Sequence, residues 1–462
     1  MAREKSHLVI VGLGQVVPYK YLSCISEYVG RGVLDGYSII DLETEKESVS
    51  RRVDATGLQP ENVFFCSAAD SRHSFADRRH FAPIFEKLLE QKQKLKVFIS
   101  PEVKAHQAYL EFCVENGIDS LTEKPIFAPM KNGQFYPTAI EGTMRHLLMK
   151  MKEKPANHSV MTLGRYHAVF NDALLDKLRQ KIVELHSPLT SFHLRTASGV
   201  WNLYREYETR EDHPYKYGYG MLMHGAYHYV DLMAQFLELN KIVYPSSSFD
   251  LILSSFAAYP DDQFKRISEK FNKKFDDVAP KWAKTTKSIK QIYGETDITT
   301  SFCIKDQKSG KVITVGTLSL EQTTPSIRAW KELPESFYNV NGRVSCTDIE
   351  VQLSTLFSMH ARSFKVPKSA EGKVVQVDNF AQVHTRANAS LLKREQYNTE
   401  QTILNFFNSA SNRKLMSAWF EGKETKSQLA SHFPTMKITQ ALALSIQNPG
   451  EPVRVKDLFE EI

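Results

Sequence analysis

Residues 7–14 read His-Leu-Val-Ile-Val-Gly-Leu-Gly. A short apolar run ending on Gly12-Leu13-Gly14 describes a buried strand that runs into a turn. There the missing side chains let the main chain approach a pyrophosphate at the N-terminus of the following helix. Exposed amides and the helix dipole favour an anion at that point, with Gln15 and Val16 completing the turn. Pro18 fits the first turn of the helix, where its missing N–H costs nothing. Val17 stands where the third glycine of the full dinucleotide fingerprint falls.

Moving outward, four more strand-like runs follow at regular intervals: residues 36–41 (GYSIID), 62–66 (NVFFC), 95–100 (LKVFIS) and 118–122 (IDSLT). Residues 43–57 and 101–117 carry apolar positions at helical spacing and end on glycine, the residue that most cheaply closes a helix. Alternation of this kind predicts a parallel sheet with crossover helices, a doubly wound Rossmann arrangement over residues 1–155. Asp41 ends the second strand, where a carboxylate accepts both ribose hydroxyls and repels a 2′-phosphate. NAD is therefore favoured, with NADP kept open by Lys46, Arg51 and Arg52 nearby; Asp41 as a plain helix cap is the competing reading.

From about Ser159 the texture turns to alternation, in residues 159–169, 189–197, 249–259, 297–305 and 311–320, with a helical interruption at about 224–239. An α+β domain with an open, largely antiparallel sheet is expected over 156–462, carrying a polar insertion near 261–294 and C-terminal helices from about Val374. The stretch 68–93 reads as a lengthened connection with a basic patch at Arg72, His73, Arg78, Arg79 and His80.

At 462 residues and a formal charge of +6, the chain is too dilutely basic to carry a nucleic-acid footprint. Its five cysteines are scattered without a Cys-x-x-Cys pair, which suggests neither a disulfide framework nor a zinc site. The N-terminal apolar run is too short for a signal peptide and no later run approaches a membrane span, so a cytoplasmic protein without nucleic-acid or membrane partners is expected.

Two further motifs carry chemistry. Glu123-Lys124-Pro125 follows the fifth strand at the carboxyl edge of the sheet. A partly desolvated lysine there can polarise or exchange a proton with a substrate hydroxyl, against the reading of a surface lysine in a strand-exit loop. Residues 218–232 read GYGMLMHGAYHYVDL and place His224, His228 and Asp231 at i, i+4 and i+7, one face of a helix. Histidine is the usual proton shuttle near neutrality, and a carboxylate one turn away orients it. No third metal ligand is evident from spacing, and no metal is expected. A purely structural pair of histidines is the competing reading. Tyr166, Arg165, Trp201 and Tyr204 are candidate pocket residues, aromatic faces suiting sugar rings and Arg165 an anion.

The order of these elements resembles the Gfo/Idh/MocA (glucose-fructose oxidoreductase and inositol dehydrogenase) family. It comprises Gly-x-Gly after strand one, an acid after strand two, VFISPEVKAHQAYLEFCVENGIDSLTEKP over 97–125, then GYGMLMHGAYHYVDL. The resemblance covers roughly residues 6–165 with a break and resumes at about 215–240. It implies that Ser100, Pro101 and His106 line the nicotinamide side of the cofactor. It also implies that Glu123, Lys124 and Pro125 meet the cofactor or substrate, and that Lys124 and His228 bind substrate and transfer a proton. His224 stands where the family carries Asp, a departure that alters or removes reactivity.

The function so implied is NAD(P)-dependent hydride transfer at a hydroxyl, carbonyl or imine carbon of a sugar-like or other polar small molecule, by a homodimer or homotetramer. The alternative is a catalytically silent dinucleotide-binding regulator or partner-binding protein of the same fold.

Overall fold

The computed structural model describes residues 5–14, 16–56, 59–67, 76–92, 94–199, 202–211, 213–268, 270, 293–324, 345–370, 373–393 and 398–462. Gln15, Trp201, Arg72, His73 and most of the expected insertion at 261–294 lie outside the described residues. The chain divides into two compact units. One holds residues 1–166, 408–433 and 462, the other 167–407 and 434–461.

In the first unit, β1 (Ser6–Val11), β2 (Leu34–Leu42), β3 (Asn62–Cys66), β4 (Leu95–Ile99) and β5 (Asp119–Glu123) form where the apolar runs place them. A short hairpin of β6 (Met130–Lys131) and β7 (Gln134–Phe135) precedes β8 (His158–Met161). The six-stranded sheet runs β3-β2-β1-β4-β5-β8 with every pairing parallel. Every residue of β1 and β4 is buried, polar Ser6, His7 and Lys96 included, and the stretches LVIV and VFI within them read as apolar runs for that reason. Crossover helices are α1 (Val16–Lys20), α2 (Leu22–Gly30), α3 (Lys46–Thr56), α4 (Arg78–Gln91), α5 (Val103–Asn116) and α6 (Ile140–Met151). Gly117 closes α5 in the left-handed conformation at φ 65°, as the sequence predicts.

Three expectations are revised. The stretch 68–93 contains α4, an ordinary crossover helix burying Phe81, Phe85 and Leu88, and its basic start is paired, Arg78 with Glu115 and Arg79 with Asp77. Residues 159–169 do not open the second unit's sheet. Their first part is β8, the last strand of the parallel sheet, and a 3-10 turn (Leu163–Tyr166) and a π-helical segment (Ala168–Leu175) follow. The division falls after Tyr166 rather than near 155, and it is not a single cut: the helix Asn408–Phe420 returns to the first unit. Leu415, Met416, Trp419 and Phe420 share that unit's core with Leu8, Ile10 and Phe98. The buried Lys96 fixes the joint, with Nζ 3.0 Å from both Asp119 Oδ2 and the Trp419 carbonyl and 4.6 Å from the indole ring centroid.

The second unit is built on β9 (Ser191–Ala197), β10 (Phe249–Ala258), β11 (Asp297–Asp306), β12 (Val312–Glu321), β13 (Ser345–Leu353), β14 (Phe357–Ala370), β15 (Lys373–Ala387), β16 (Thr399–Leu404) and β17 (Val453–Val455). Their order is β16-β15-β14-β13-β9-β12-β11-β10-β17, antiparallel except for the β12–β9 pair. The helix Tyr227–Glu238 buries Val230, Leu232, Met233, Phe236 and Leu237, and Phe236 packs on Phe192 of β9 at 5.3 Å between ring centroids. The fold class is the one expected, a doubly wound parallel sheet followed by a largely antiparallel α+β unit. Helix does not resume at Val374, however. That residue lies in β15, and the C-terminal helices are Asn408–Phe420 and Phe433–Gln447.

Candidate functional site

Strand order reverses between β1 and β4, so the carboxyl ends of these strands flank the crevice where doubly wound folds take a dinucleotide. Gly12 sits there with φ 79°, and a Cβ on it would lie 2.5 Å from the Pro101 Cα. Only glycine meets both demands. A Cβ on Gly14, by contrast, would meet nothing within 4 Å. Among the described residues the amides of Gly14 and Val16 donate to no protein acceptor. A glycine facing open space beside undonated amides fits a pyrophosphate.

The turn between them is braced at Leu13. Its N–H donates to Asp41 Oδ2 at 2.7 Å, and its carbonyl accepts from Arg52 Nη1 at 2.7 Å. Asp41 Oδ1 accepts the Leu42 amide at 2.8 Å. Burial pushes the Asp41 carboxyl up, with the two amides opposing it. Asp41 thus has a first task the sequence did not reveal, holding the glycine turn, and each oxygen keeps a lone pair beyond it. Arg52 is occupied by the turn rather than standing ready for a phosphate. Ser100 joins the ends of the two strands, its Oγ donating to the carbonyls of Val11 at 3.0 Å and Gly12 at 2.8 Å.

His106 is 1% exposed, with Nδ1 2.9 Å from the Pro125 carbonyl and Nε2 3.1 Å from the Pro101 carbonyl. Burial holds its pKa below the ordinary value. It therefore ties the Pro101 and Pro125 loops together. Glu123 is likewise held. Its Oε1 accepts from Tyr21 Oη at 2.5 Å, Tyr21 in turn accepts from Asn412 Nδ2 at 3.0 Å, and Glu123 Oε2 accepts the Lys124 amide at 3.1 Å. Lys124 follows directly, at the carboxyl edge of the sheet, joined to Pro125 by a cis peptide.

In the second unit the helix begins at Tyr227, so His224 lies in the preceding turn, outside the helix that carries His228 and Asp231. The expectation that one helix carries all three is therefore corrected. The His224 amide donates to the Gly220 and Met221 carbonyls, and its ring, 6% exposed, is edge-on to His213, Tyr215 and Tyr219. His228 is half-buried in the helix's first turn. Asp231 is fully buried, accepting from Gln235 Nε2 and Thr435 Oγ1, each at 2.9 Å.

Three further pocket candidates are likewise absorbed by the fold. Arg165 is 4% exposed and donates to the Lys426 carbonyl, Ser431 Oγ and the Ser431 carbonyl. Tyr166 Oη accepts the Lys426 amide, and Tyr204 is buried against Tyr207. A long polar side chain at the mouth of a strand reads the same in sequence whether it meets a ligand or a loop.

Sequence reasoning missed Tyr21, Asn412 and Glu295. The last is a buried carboxyl whose Oε1 accepts the Leu222 amide at 2.8 Å. Its sole sequence signal is the adjacent Gly294, and a single Glu between a polar tract and a strand otherwise reads as surface.

Compared by sequence, the chain matches no protein-family model and no curated protein. Compared by fold, it is similar to several solved oxidoreductases. One from Agrobacterium radiobacter, in complex with NAD+, L-tartaric acid and magnesium, is 10% identical with TM-score 0.53 and 98% of each chain covered. The WlbA dehydrogenase from Bordetella pertussis, in complex with NADH and UDP-GlcNAcA, is 10% identical with TM-score 0.54, covering 98% of this chain and 99% of that one. An aldose-aldose oxidoreductase from Caulobacter crescentus, complexed with glycerol, is 11% identical with TM-score 0.53 and coverage of 98% and 100%. At this identity the likeness is one of fold.

Proposed function

We propose that the chain is a nicotinamide-dependent oxidoreductase of the Gfo/Idh/MocA type, acting on a hydroxyl, carbonyl or imine carbon of a sugar-like or similarly polar molecule. The observation that carries this reading is the cleared turn at the β1–β4 reversal, with Gly12 packed on Pro101, Gly14 open and Leu13 braced by Asp41 and Arg52. The Agrobacterium and Bordetella neighbours hold NAD+ and NADH at full-length likeness of fold, which supports the same cofactor here. When bound, the dinucleotide supplies the hydride donor or acceptor.

The chain's own contribution is binding and proton handling. The Gly14 and Val16 amides hold the pyrophosphate, and Asp41 offers its remaining lone pairs to the adenosine ribose, favouring NAD over NADP. Lys124 polarises the substrate oxygen, and His228 takes or gives its proton. His224 lies in an aromatic enclosure in the turn before the helix that carries His228. Arg165, Tyr166, Tyr204 and Asp231 act through the fold and not on substrate. The test is to follow absorbance of NADH with a panel of oxidised sugars and sugar acids. Turnover by wild type and its loss in Lys124→Ala and His228→Ala, with NADH affinity retained in His228→Ala, is expected. Binding without turnover of any panel member would favour the silent dinucleotide-binding reading.

A further inference from the structure

The glycine-rich segment before the second unit's helix is packed against the main chain of Gly294 and Glu295, where the polar tract gives way to β11. A Cβ on Gly220 would lie 2.0 Å from the Glu295 carbonyl oxygen, and one on Gly294 2.0 Å from the Tyr219 carbonyl carbon. Each chain therefore runs where the other's side chain would be. The Met221 amide donates to the Glu295 carbonyl at 2.8 Å, and the Leu222 amide to Glu295 Oε1 at 2.8 Å. Two consecutive amides of the turn that presents His224 thus end on one residue, which is 3% exposed.

We propose that Glu295 is the positioning residue of the histidine segment: its buried carboxyl, by accepting the Leu222 amide, fixes the 220–226 turn and so sets His224 and the helix start that carries His228. The assignment of proton transfer to His228 rests on the function proposed above, whereas the positioning itself is a property of the second unit alone.

The surroundings make the carboxyl responsive as well as structural. Burial raises it from 4.5 to about 7, with amide hydrogen bonds, that of Leu222 first, opposing. Among the described residues, its titratable surroundings include tyrosines, histidines and charged side chains. Tyr215 and Tyr259 are both raised, by burial first and the Glu295 charge second. Glu206 and Arg210 act on Tyr215 with opposite sign. His224 lies in the turn itself with His213 on its ring, and Asp297 is paired with Arg266. A buried carboxyl raised toward neutrality couples the turn's anchor to pH in the range where histidine chemistry operates.

The test follows histidine ring resonances by NMR in selectively labelled full-length protein, in wild type, Glu295→Gln and Glu295→Ala. Wild type is expected to show an inflection near pH 7 in the His224 shifts. Glu295→Gln, which keeps an amide acceptor but cannot ionise, keeps the resonance positions and loses that inflection. Glu295→Ala displaces or broadens the His224 and His228 resonances while the NADH titration, a property of the first unit, is unchanged. Unmoved resonances in Glu295→Ala, or the same inflection in Glu295→Gln, would overturn the proposal; should Glu295→Ala not fold, the Gln comparison decides. Failure of the oxidoreductase reading shows separately, as wild type that binds no NADH.

Discussion

Replacing Glu295 by glutamine should stabilise the protein, and only on the alkaline side. The carboxyl is 3% exposed and burial carries it from 4.5 to about 7. Below 4.5 both folded and unfolded chains hold the proton, and the penalty is absent. Between 4.5 and about 7 the unfolded chain has released its proton while the folded one must keep it or bury a charge. Stability is therefore lost as pH rises through that window and stays lost above it. At about 1.4 kcal/mol per tenfold change the full penalty is about 3 kcal/mol. Glutamine mimics the protonated carboxyl, accepts the Leu222 amide and carries no penalty. Urea unfolding followed by circular dichroism should give Glu295→Gln a stability close to wild type at about pH 5 and about 3 kcal/mol greater at about pH 8, with unchanged m-values. A difference independent of pH, or a variant less stable than wild type at about pH 8, would refute the burial argument.

Three other outcomes follow from the geometry. Gly12→Ala forces a side chain into a left-handed conformation, itself a cost of about 1–3 kcal/mol, and against the Pro101 main chain, so both thermal stability and NADH binding should fall. Trp419→Ala removes a fully buried indole from the first unit's core and the ring beneath Lys96, costing about 3–5 kcal/mol in denaturant unfolding. Arg52→Ala releases the Leu13 carbonyl, and its NADH affinity should drop without change in the Tyr21–Glu123 contact, readable in isothermal titration.

The first unit was legible because its central strands are buried on both faces: runs such as LVIV and VFI point to a parallel sheet, and Gly117 marks its helix end. The second sheet was legible strand by strand where alternation is clean, as in β10 to β12. Membership of a sheet is another matter. Nothing local distinguishes β8, which closes the parallel sheet, from a strand of the second unit, and β15 reads as helix because its polar residues hide a period of two. Trp419 and its neighbours reach the first unit after the whole of residues 167–407, a contact no local period encodes.

At the site, the glycines were decisive because steric exclusion is written in the residue itself. Asp41, His106, Arg165 and Asp231 were visible as polar residues in suggestive places, yet each spends hydrogen bonds on backbone or side chains of its own unit. Helical spacing put His224 with His228 on one face. The packing of Gly220 against Gly294 and Glu295 instead delays the helix to Tyr227. Among the described residues no helix is long and apolar enough to cross a membrane. Association into dimers or tetramers, expected from the family resemblance, is open to light scattering.

The proposed function depends on dinucleotide binding by the braced glycine turn. Fluorescence titration of the full-length chain with NADH and, separately, NADPH, in wild type and Asp41→Ala, tests this most directly. Saturable NADH binding, tighter than NADPH and weakened in Asp41→Ala, is the predicted result. Absence of binding by either nucleotide to folded wild type would contradict it.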